Sequence, residues 1–386
     1  EAGLSLCSEE ETLLMKFFYG TMPLRDAGEY PFEIFLSYVR HALWLRKTID
    51  WCKKLPEDLF VHDVLYYRIN SEDISDCRSF FYEQLKDRIV GLDEYQAAVE
   101  INYWCVEHAT YEMADDRTAG PMTMYRSGKG RCGEESTFTV TALRSVGLAA
   151  RQVYTPRWAH CDDNHAWVEV WVNGEWHFLG ACEPEEKLDR GWFTGPAGQA
   201  LLIHSRTFGD YAAGKREEVI GRDGAVVCHN VTASYTKTRK LRIQVRKQDN
   251  TPAAHAQVSV EILNMAEYFP AAALETDEQG ETSIRLGLGD IRLQARSEGK
   301  FVERYCNLAE DGIGAADADC AVTLVLKDSE AGMKDALSGV SACEWHLAKL
   351  CAPKEVVVRE SVLSEEEVSR GTRRLADAVK LREERF

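Results

Sequence analysis

The sequence predicts an α+β protein with a helical N-terminal region, a mixed helix-and-strand domain at its centre and an antiparallel β-sandwich behind it. Three observations carry this. Apolar residues recur at three-and-four spacing through the first hundred residues, the period changes to two after Gly147, and from Leu241 short alternating segments are separated by turn sequences. At 386 residues the chain exceeds what one core usually supports, so several domains are expected. The texture divides it into 1–90 (helical region), 91–236 (central domain), 237–327 (β-sandwich) and 328–386 (linker and terminal helix).

In the first region Leu13, Leu14, Phe17 and Phe18, then Phe35, Leu36, Val39 and Leu43, form helical stripes, broken at Asp26-Ala27-Gly28 and Leu55-Pro56. Leu92 to Tyr111 carries another stripe, with Tyr95, Val99, Trp104 and His108. Asp115 to Gly130 is loop-like, punctuated by Gly120-Pro121 and Ser127-Gly128. Gly133 to Val146 is helical, with Phe138, Ala142 and Leu143 on its buried face and Gly147 placed as a C-terminal cap. Residues 150–155 and 166–171 then alternate as strands, and Val172-Asn173-Gly174-Glu175 is a hairpin turn of the Asn-Gly kind.

The sandwich rests on five alternating runs: Leu241, Ile243, Val245; Val258, Val260, Ile262; Ile284, Leu286, Leu288; Ile291, Leu293, Ala295; and Val322, Leu324, Leu326. Beyond residue 328 the chain is charged and turn-rich. A helix follows from Ser364, whose spacing to Glu367 is that of a capping box. It stops at Phe386 without a cap, as a fragment of a longer protein would.

Composition narrows the function. With 46 Lys and Arg against 63 Asp and Glu, the net charge of -17 excludes unassisted binding to nucleic acid, which needs a basic face. No apolar run approaches the roughly 18–20 residues that span a bilayer. The chain opens on Glu1 rather than Met, so a processed N-terminus is expected and a removed leader stays compatible with it. The 12 cysteines are scattered, with no Cys-x-x-Cys pair, which points to free thiols in a reducing, cytoplasmic setting. No cofactor is expected: Gly128-x-Gly130-x-x-Gly133 matches the dinucleotide fingerprint only in letters, since no strand leads into it. No metal is expected either, because His160, Cys161, Asp162, Asp163 and His165 have no common zinc spacing. Asn230-Val231-Thr232 is taken as a chance sequon.

The chemistry concentrates in residues 128–183. Cys132 opens the helix that starts at Gly133, where unpaired amides and the helix dipole favour a thiolate and lower a cysteine pKa from about 8.5. His165 begins a hairpin strand, and Glu183 lies just past the end of its partner. A thiol nucleophile, an imidazole base and an orienting acid, in that order, are the parts of an acyl-transfer site.

These residues resemble the transglutaminase-like superfamily, the papain-related fold of cross-linking transglutaminases, bacterial transglutaminase-like proteases and peptide N-glycanases. The resemblance is carried by Gly130-Arg131-Cys132-Gly133-Glu134, by Gly147-Leu148-x-Ala150-Arg151-x-Val153 and by His165-x-Trp167-x-Glu169-Val170, and spans about residues 90–210. It implies Cys132 as nucleophile and His165 as its base. The family's Asp before Pro is here Glu183 before Pro184, with Asp163 and Asp189 as rivals. The Cys132 amide is the expected oxyanion donor, aided by Trp104 or Tyr125, and Trp158, Trp167 and Trp171 are candidates to line a substrate groove. The implied activity is hydrolysis of a peptide or isopeptide amide through a cysteinyl thioester. Transamidation to an amine and a noncatalytic scaffold are the alternatives. Residues 276–290 resemble carboxypeptidase-regulatory-like, prealbumin-type modules, which implies a supporting role or a protein or glycan partner.

Overall fold

The computed structural model describes residues 3–113, 118–209, 217–308, 320–328 and 356–386. The loop residues at 114–117, and most of the linker expected from 328 onward, lie outside them.

The N-terminal helices are α1 (Glu9–Thr21), α2 (Leu24–Glu29), α3 (Phe32–Thr48), α4 (Asp50–Lys53), α5 (Glu57–Phe60) and α6 (Arg78–Leu85), followed by α7 (Glu94–Val106). Ser8 and Asp93 cap α1 and α7, each accepting the N–H three residues on while that residue's side chain accepts the cap N–H. Two short parallel strands, β1 (Thr110–Tyr111) and β2 (Lys129–Gly130), flank α8 (Pro121–Ser127). Next comes α9 (Cys132–Ser145), whose C-terminus passes into Gly147 at φ 82°, a conformation that favours glycine. Phe18, Phe35, Leu45, Phe81, Trp104 and Phe138 share one apolar core. The N-terminal helices therefore pack directly behind α9 rather than around a core of their own.

The central sheet comprises β3 (Ala150–Thr155), β4 (His165–Val172), β5 (Glu175–Leu179), β6 (His204–Thr207), β7 (Glu218–Asp223) and β8 (Val226–Asn230), in the order β5-β4-β3-β6-β8-β7 with every neighbouring pair antiparallel. The short helix α10 (Thr194–Ala197) lies between β5 and β6. Asn173 and Gly174 close the β4–β5 hairpin at φ 54° and 88°, the mirror-image turn that suits strand twist. β4 is buried almost throughout. One of its faces meets α9, and the other meets a cluster of Trp158, Trp167, Phe178, Phe193 and Tyr235.

The sandwich contains β9 (Thr238–Arg246), β10 (Gln257–Asn264), β11 (Glu267–Glu275), β12 (Glu281–Gly287), β13 (Asp290–Ser297), β14 (Lys300–Asn307), β15 (Cys320–Val325) and β16 (Lys327–Asp328). Its sheets are β11-β10-β13-β14-β16 and β12-β9-β15, antiparallel except where β15 runs parallel to β9. The alternating residues Leu241, Ile243, Val258, Val260, Ile284 and Leu293 fill the space between them. Leu201, Leu202 and Ile220 of the central domain join this same core, so the two parts are fused. At the seam Gly287 lies against the Ala200 carbonyl, where a Cβ would stand 1.9 Å from the oxygen.

Residues 356–364 return across the central domain: the N–H groups of Val356, Val358 and Ser361 donate to the carbonyls of Gly198, Tyr235 and Asp189. The C-terminal helix, α11 (Glu365–Arg385), then lies along α7. Ser364 caps it, Arg374 pairs with Glu100 and Glu186 over the Tyr103 ring, and Arg385 sits 3.9 Å above the Tyr125 ring. Among the described residues no helix is long and apolar enough to cross a membrane.

Candidate active site

Backbone geometry delivers Cys132 to the first turn of α9. The Glu112 N–H donates to the Gly130 carbonyl at 2.8 Å, holding β1 beside β2, and Glu134 accepts from the Arg131 N–H at 2.7 Å to fix the helix start. Gly130 has no room for a side chain, because a Cβ would meet the Met124 sulfur at 2.4 Å and Glu134 Cβ at 2.8 Å. Gln152 on β3 ties the same turn to the sheet, donating to the Gly133 carbonyl at 3.1 Å and Ser136 Oγ at 2.7 Å.

The backbone amide of Ala166, the residue after His165, faces the Cys132 sulfur and favours its thiolate. Cys132 thus lies at the corner where α9 begins and β4, opened by His165, begins. Burial pushes the Cys132 thiol up, and the nearby Glu135 and Glu134 carboxylates push it further, against the Ala166 and Gly133 amides. The lowered pKa expected from the helix start is therefore reversed. Desolvation outweighs the amides that stabilise a thiolate.

His165 is 8% exposed and walled by aromatic rings: Trp192 at 4.8 Å, Phe193 at 5.1 Å, Trp167 at 5.8 Å and Trp158 at 6.3 Å between centroids. Its Nε2 is buried without a hydrogen-bond partner among the described residues. Burial lowers its pKa to about 4, so the imidazole is neutral at physiological pH.

None of the three carboxylates considered as orienter is hydrogen-bonded to His165. Glu183 accepts from the Trp192 indole N–H, at 3.1 and 2.9 Å to its two oxygens. Asp189 is 2.6 Å from His177 Nδ1 and accepts the Phe178 N–H. Asp163 accepts the N–H of Asn164. Continuing the β4–β5 register would set His165 opposite Cys182. There the chain turns, with Cys182 at a left-handed φ of 57°, and Glu183 follows directly. The acid is thus beside the imidazole in the topology, and Trp192 joins the two by touching both.

The other candidates separate by exposure. Trp104 is 3% exposed and stacked among His108, Phe138 and Tyr125, and Trp167 is fully buried with its indole N–H on the Tyr235 hydroxyl at 2.9 Å. Both are core residues here. Trp158 is buried in parallel stack with Trp167. Tyr125 is half-buried between His108 and Arg385. Trp171 packs edge-on against Trp176 in the hairpin.

Several residues of this corner carried no sequence signal. Trp192 is 59% exposed beside His165. Tyr111 is 56% exposed on β1, and burial, then the nearby Cys132, raise its hydroxyl pKa. Asn264, at the end of β10, donates to the carbonyls of Trp158 at 2.9 Å and Cys161 at 2.7 Å, and the Met265 N–H donates to Asp162 at 2.8 Å. The tip of a sandwich hairpin therefore clips the loop that leads into His165. Met265 and Ala266 hold that tip at φ 51° and 58°, a strained conformation for residues with a side chain.

Residues 83–181 match the family model of the transglutaminase-like superfamily. No curated protein matches the chain. Solved structures with local similarity include a candidate cysteine protease from Cytophaga hutchinsonii, 17% identical over 34% of this chain and 44% of that one, with TM-score 0.27. They also include a TGase, 15% identical over 38% of each chain with TM-score 0.23. A third is the catechol 1,2-dioxygenase of Acinetobacter sp. ADP1, 13% identical over 24% of this chain and 53% of that one, with TM-score 0.19. The chain thus spans less than half the length of the first of these. The stretch that builds the α7, α9 and β3–β5 corner is the stretch that matches, and the chain carries a domain of the transglutaminase-like superfamily.

Proposed function

We propose that the protein is a thiol-dependent hydrolase that cleaves a peptide or isopeptide amide through a thioester on Cys132. The observation that carries this is the placement of Cys132 at the first position of α9, which packs on β4, the strand that His165 opens. With the thiol raised and the imidazole lowered, the resting pair is neutral. Attack on the amide carbonyl then forms the S–C bond as the thiol proton passes to His165. The imidazolium returns that proton to the departing amine, and water repeats the sequence to release the acid. The Cys132 amide is the proposed donor to the oxyanion. Glu183 acts through Trp192, holding the indole that packs on His165.

A second reading, a noncatalytic scaffold, is favoured by the engagement of Glu183 with Trp192 and by the raised thiol. Iodoacetamide labelling separates the two. Alkylation of Cys132 faster than of the exposed Cys161, with the advantage lost in His165→Ala, supports the enzyme. Equal rates at the two cysteines would sink it. Peptide amides offered with and without a primary amine then distinguish hydrolysis from transamidation by the mass of the product.

A further inference from the structure

The C-terminal helix α11 touches both flanks of the candidate site. Near its start it meets the loop that follows Glu183. Glu186 in that loop takes Arg370 at 2.5 Å, Arg374 at 3.1 Å and the Tyr103 hydroxyl at 2.8 Å, with its side chain 3% exposed. Lys187 beside it reaches Glu367 at 3.0 Å and the Val362 carbonyl at 3.0 Å. At the other end of α11, Arg385 donates to the Tyr125 carbonyl at 2.9 Å, and the Phe386 ring lies on Gly128 so closely that a Cβ there would stand 2.5 Å from it. Tyr125 and Gly128 belong to the end of α8, from which β2 leads to Cys132.

The middle of the helix ties these flanks together. Arg374 also reaches Glu100 on α7 at 2.5 Å, and Arg382 donates to the Val106 and Ala109 carbonyls at 3.4 Å each, where α7 passes into β1. β1 holds the same turn from the opposite side, since the Thr110 N–H donates to the Gly128 carbonyl at 2.9 Å. Arg370, Arg374, Arg382 and Arg385 recur at intervals of four, eight and three residues, which sets them along one side of the helix. Little of this docking is apolar: Ala378 is buried, whereas Val368, Leu375 and Leu381 are exposed. A part-exposed ion pair holds weakly by itself and is screened by salt. A helix is a stiff rod, and one of 21 residues is marginal alone in water, so lifting one end loosens the other. Residues 356–364, pinned through Val356, Val358 and Ser361, keep a lifted helix tethered.

We infer that α11 is a positioning clasp for the candidate site: Arg370 and Arg374 on the Glu183 loop and Arg382 and Arg385 on the turns before Cys132 dock as one unit, and this docking fixes the nucleophile relative to the acid. Its catalytic consequence rests on the acyl-transfer reading of Cys132. These arginines touch no reacting atom. They act through the backbone that presents the thiol, where a displacement of about 1 Å costs on the order of 10²-fold in rate.

The test changes one end of α11 in the full chain and reads the other. In the combined Arg370→Gln and Arg374→Gln variant, hydrogen exchange of residues 124–132 is expected to rise roughly tenfold, although the changed side chains lie about 16–22 Å away along the helix. Arg385→Gln is expected to raise exchange in residues 184–190 in the same way, and Arg385→Lys, which keeps a cation and a donor, to restore most of the protection. The advantage of Cys132 over Cys161 in iodoacetamide labelling is expected to fall at least about threefold in the double variant, as expected for the displaced turn. Unchanged exchange at 124–132 in a folded double variant overturns the clasp, and raised exchange with an undiminished labelling advantage overturns its positioning role. Should the double variant fail to fold, the wild-type chain is followed from about 0.05 M to about 1 M salt, where both ends should lose protection in step; loss at one end alone overturns the clasp. Failure of the acyl-transfer reading shows separately, as a wild-type Cys132 that labels no faster than Cys161, and the exchange measurements still decide the docking.

Discussion

The Trp192 indole N–H is shared between both carboxylate oxygens of Glu183, while the same indole lies 4.8 Å from the His165 ring. Burial raises the Glu183 pKa, and the Trp192 hydrogen bond opposes that rise. Trp192→Phe keeps an aromatic ring but removes the donor, which should cost about 1 kcal/mol and push the Glu183 pKa higher. A raised carboxyl contributes stability below its unfolded pKa and loses it as pH rises through the folded value. The penalty of Trp192→Phe should therefore be larger at pH 8 than at pH 5. Paired melting curves at those two values check it; equal penalties would mean that the indole N–H does not act on the charged acid.

The resting thiol and imidazole are both neutral, so alkylation of Cys132 should fall steadily as pH drops below its raised pKa. An acidic plateau, the mark of a preformed thiolate–imidazolium pair, is not expected. His165→Ala should lower turnover by about 10²- to 10⁴-fold, the usual contribution of a general base. The pH–rate profile of iodoacetamide labelling tests the first expectation, and hydrolysis of a responsive peptide amide tests the second.

Glu135 lies one turn beyond Cys132 and is buried, and its pKa is pushed up to about 10, first by burial and then by the neighbouring Cys182 and Glu183. The folded protein holds a proton there that the unfolded chain releases above about pH 4.5. Its contribution to stability is complete below that value and is lost as pH climbs toward 10. Glu135→Gln has no proton to lose, so the variant should be more stable than wild type at pH 8 and indistinguishable at pH 4. Urea unfolding midpoints at the two pH values decide it, and an unchanged midpoint at pH 8 would show the carboxyl to be ionised at no cost.

Asn264 joins the sandwich to the loop before His165 by donating to two carbonyls. Asn264→Ala leaves both without that donor and should cost about 1–3 kcal/mol. Asn264→Asp is the same size but only accepts, which turns attraction into repulsion and should be worse. Thermal unfolding gives the order of the two, and faster proteolysis within residues 157–164 would localise the effect. Alanine proving more harmful than aspartate would contradict the clip.

At the seam between domains, Gly287→Ala would drive a methyl group to 1.9 Å from the Ala200 carbonyl oxygen. Backbone must move on one side, and the shared core of Leu201, Leu202 and Ile220 with the sandwich moves with it. A loss above about 3 kcal/mol is expected, as for overpacking at its most severe. Differential scanning calorimetry checks the size, and a change below about 1 kcal/mol would show that the seam yields easily.

Local patterns in the chain were read well where one periodicity dominated. The helix of Cys132, capped beyond by Gly147, and the Asn173-Gly174 hairpin follow from spacing and turn chemistry alone. Five sandwich strands were legible as alternation, but β11 and β14 were not. β11 reads Glu-Tyr-Phe-Pro-Ala-Ala-Ala-Leu-Glu with no period of two, and every residue of β14 is half-buried or exposed, so neither shows a clean buried face. The parallel placement of β15 on β9 joins segments some 80 residues apart, and no local signal encodes it.

The cysteine, histidine and acid of residues 128–183, which the opening residues of helix and strand made conspicuous, were determined by sequence in type and order. What surrounds them was decided only by the tertiary structure. Burial turned an expected low thiol pKa into a raised one, Trp192 rather than His165 took the Glu183 carboxylate, and a hairpin about 100 residues downstream came to hold the loop before the imidazole. The reason is physical. Residue types and periodicity report the chemistry and the local backbone, whereas desolvation and hydrogen-bond partners depend on which distant segments exclude water from a group and reach it first.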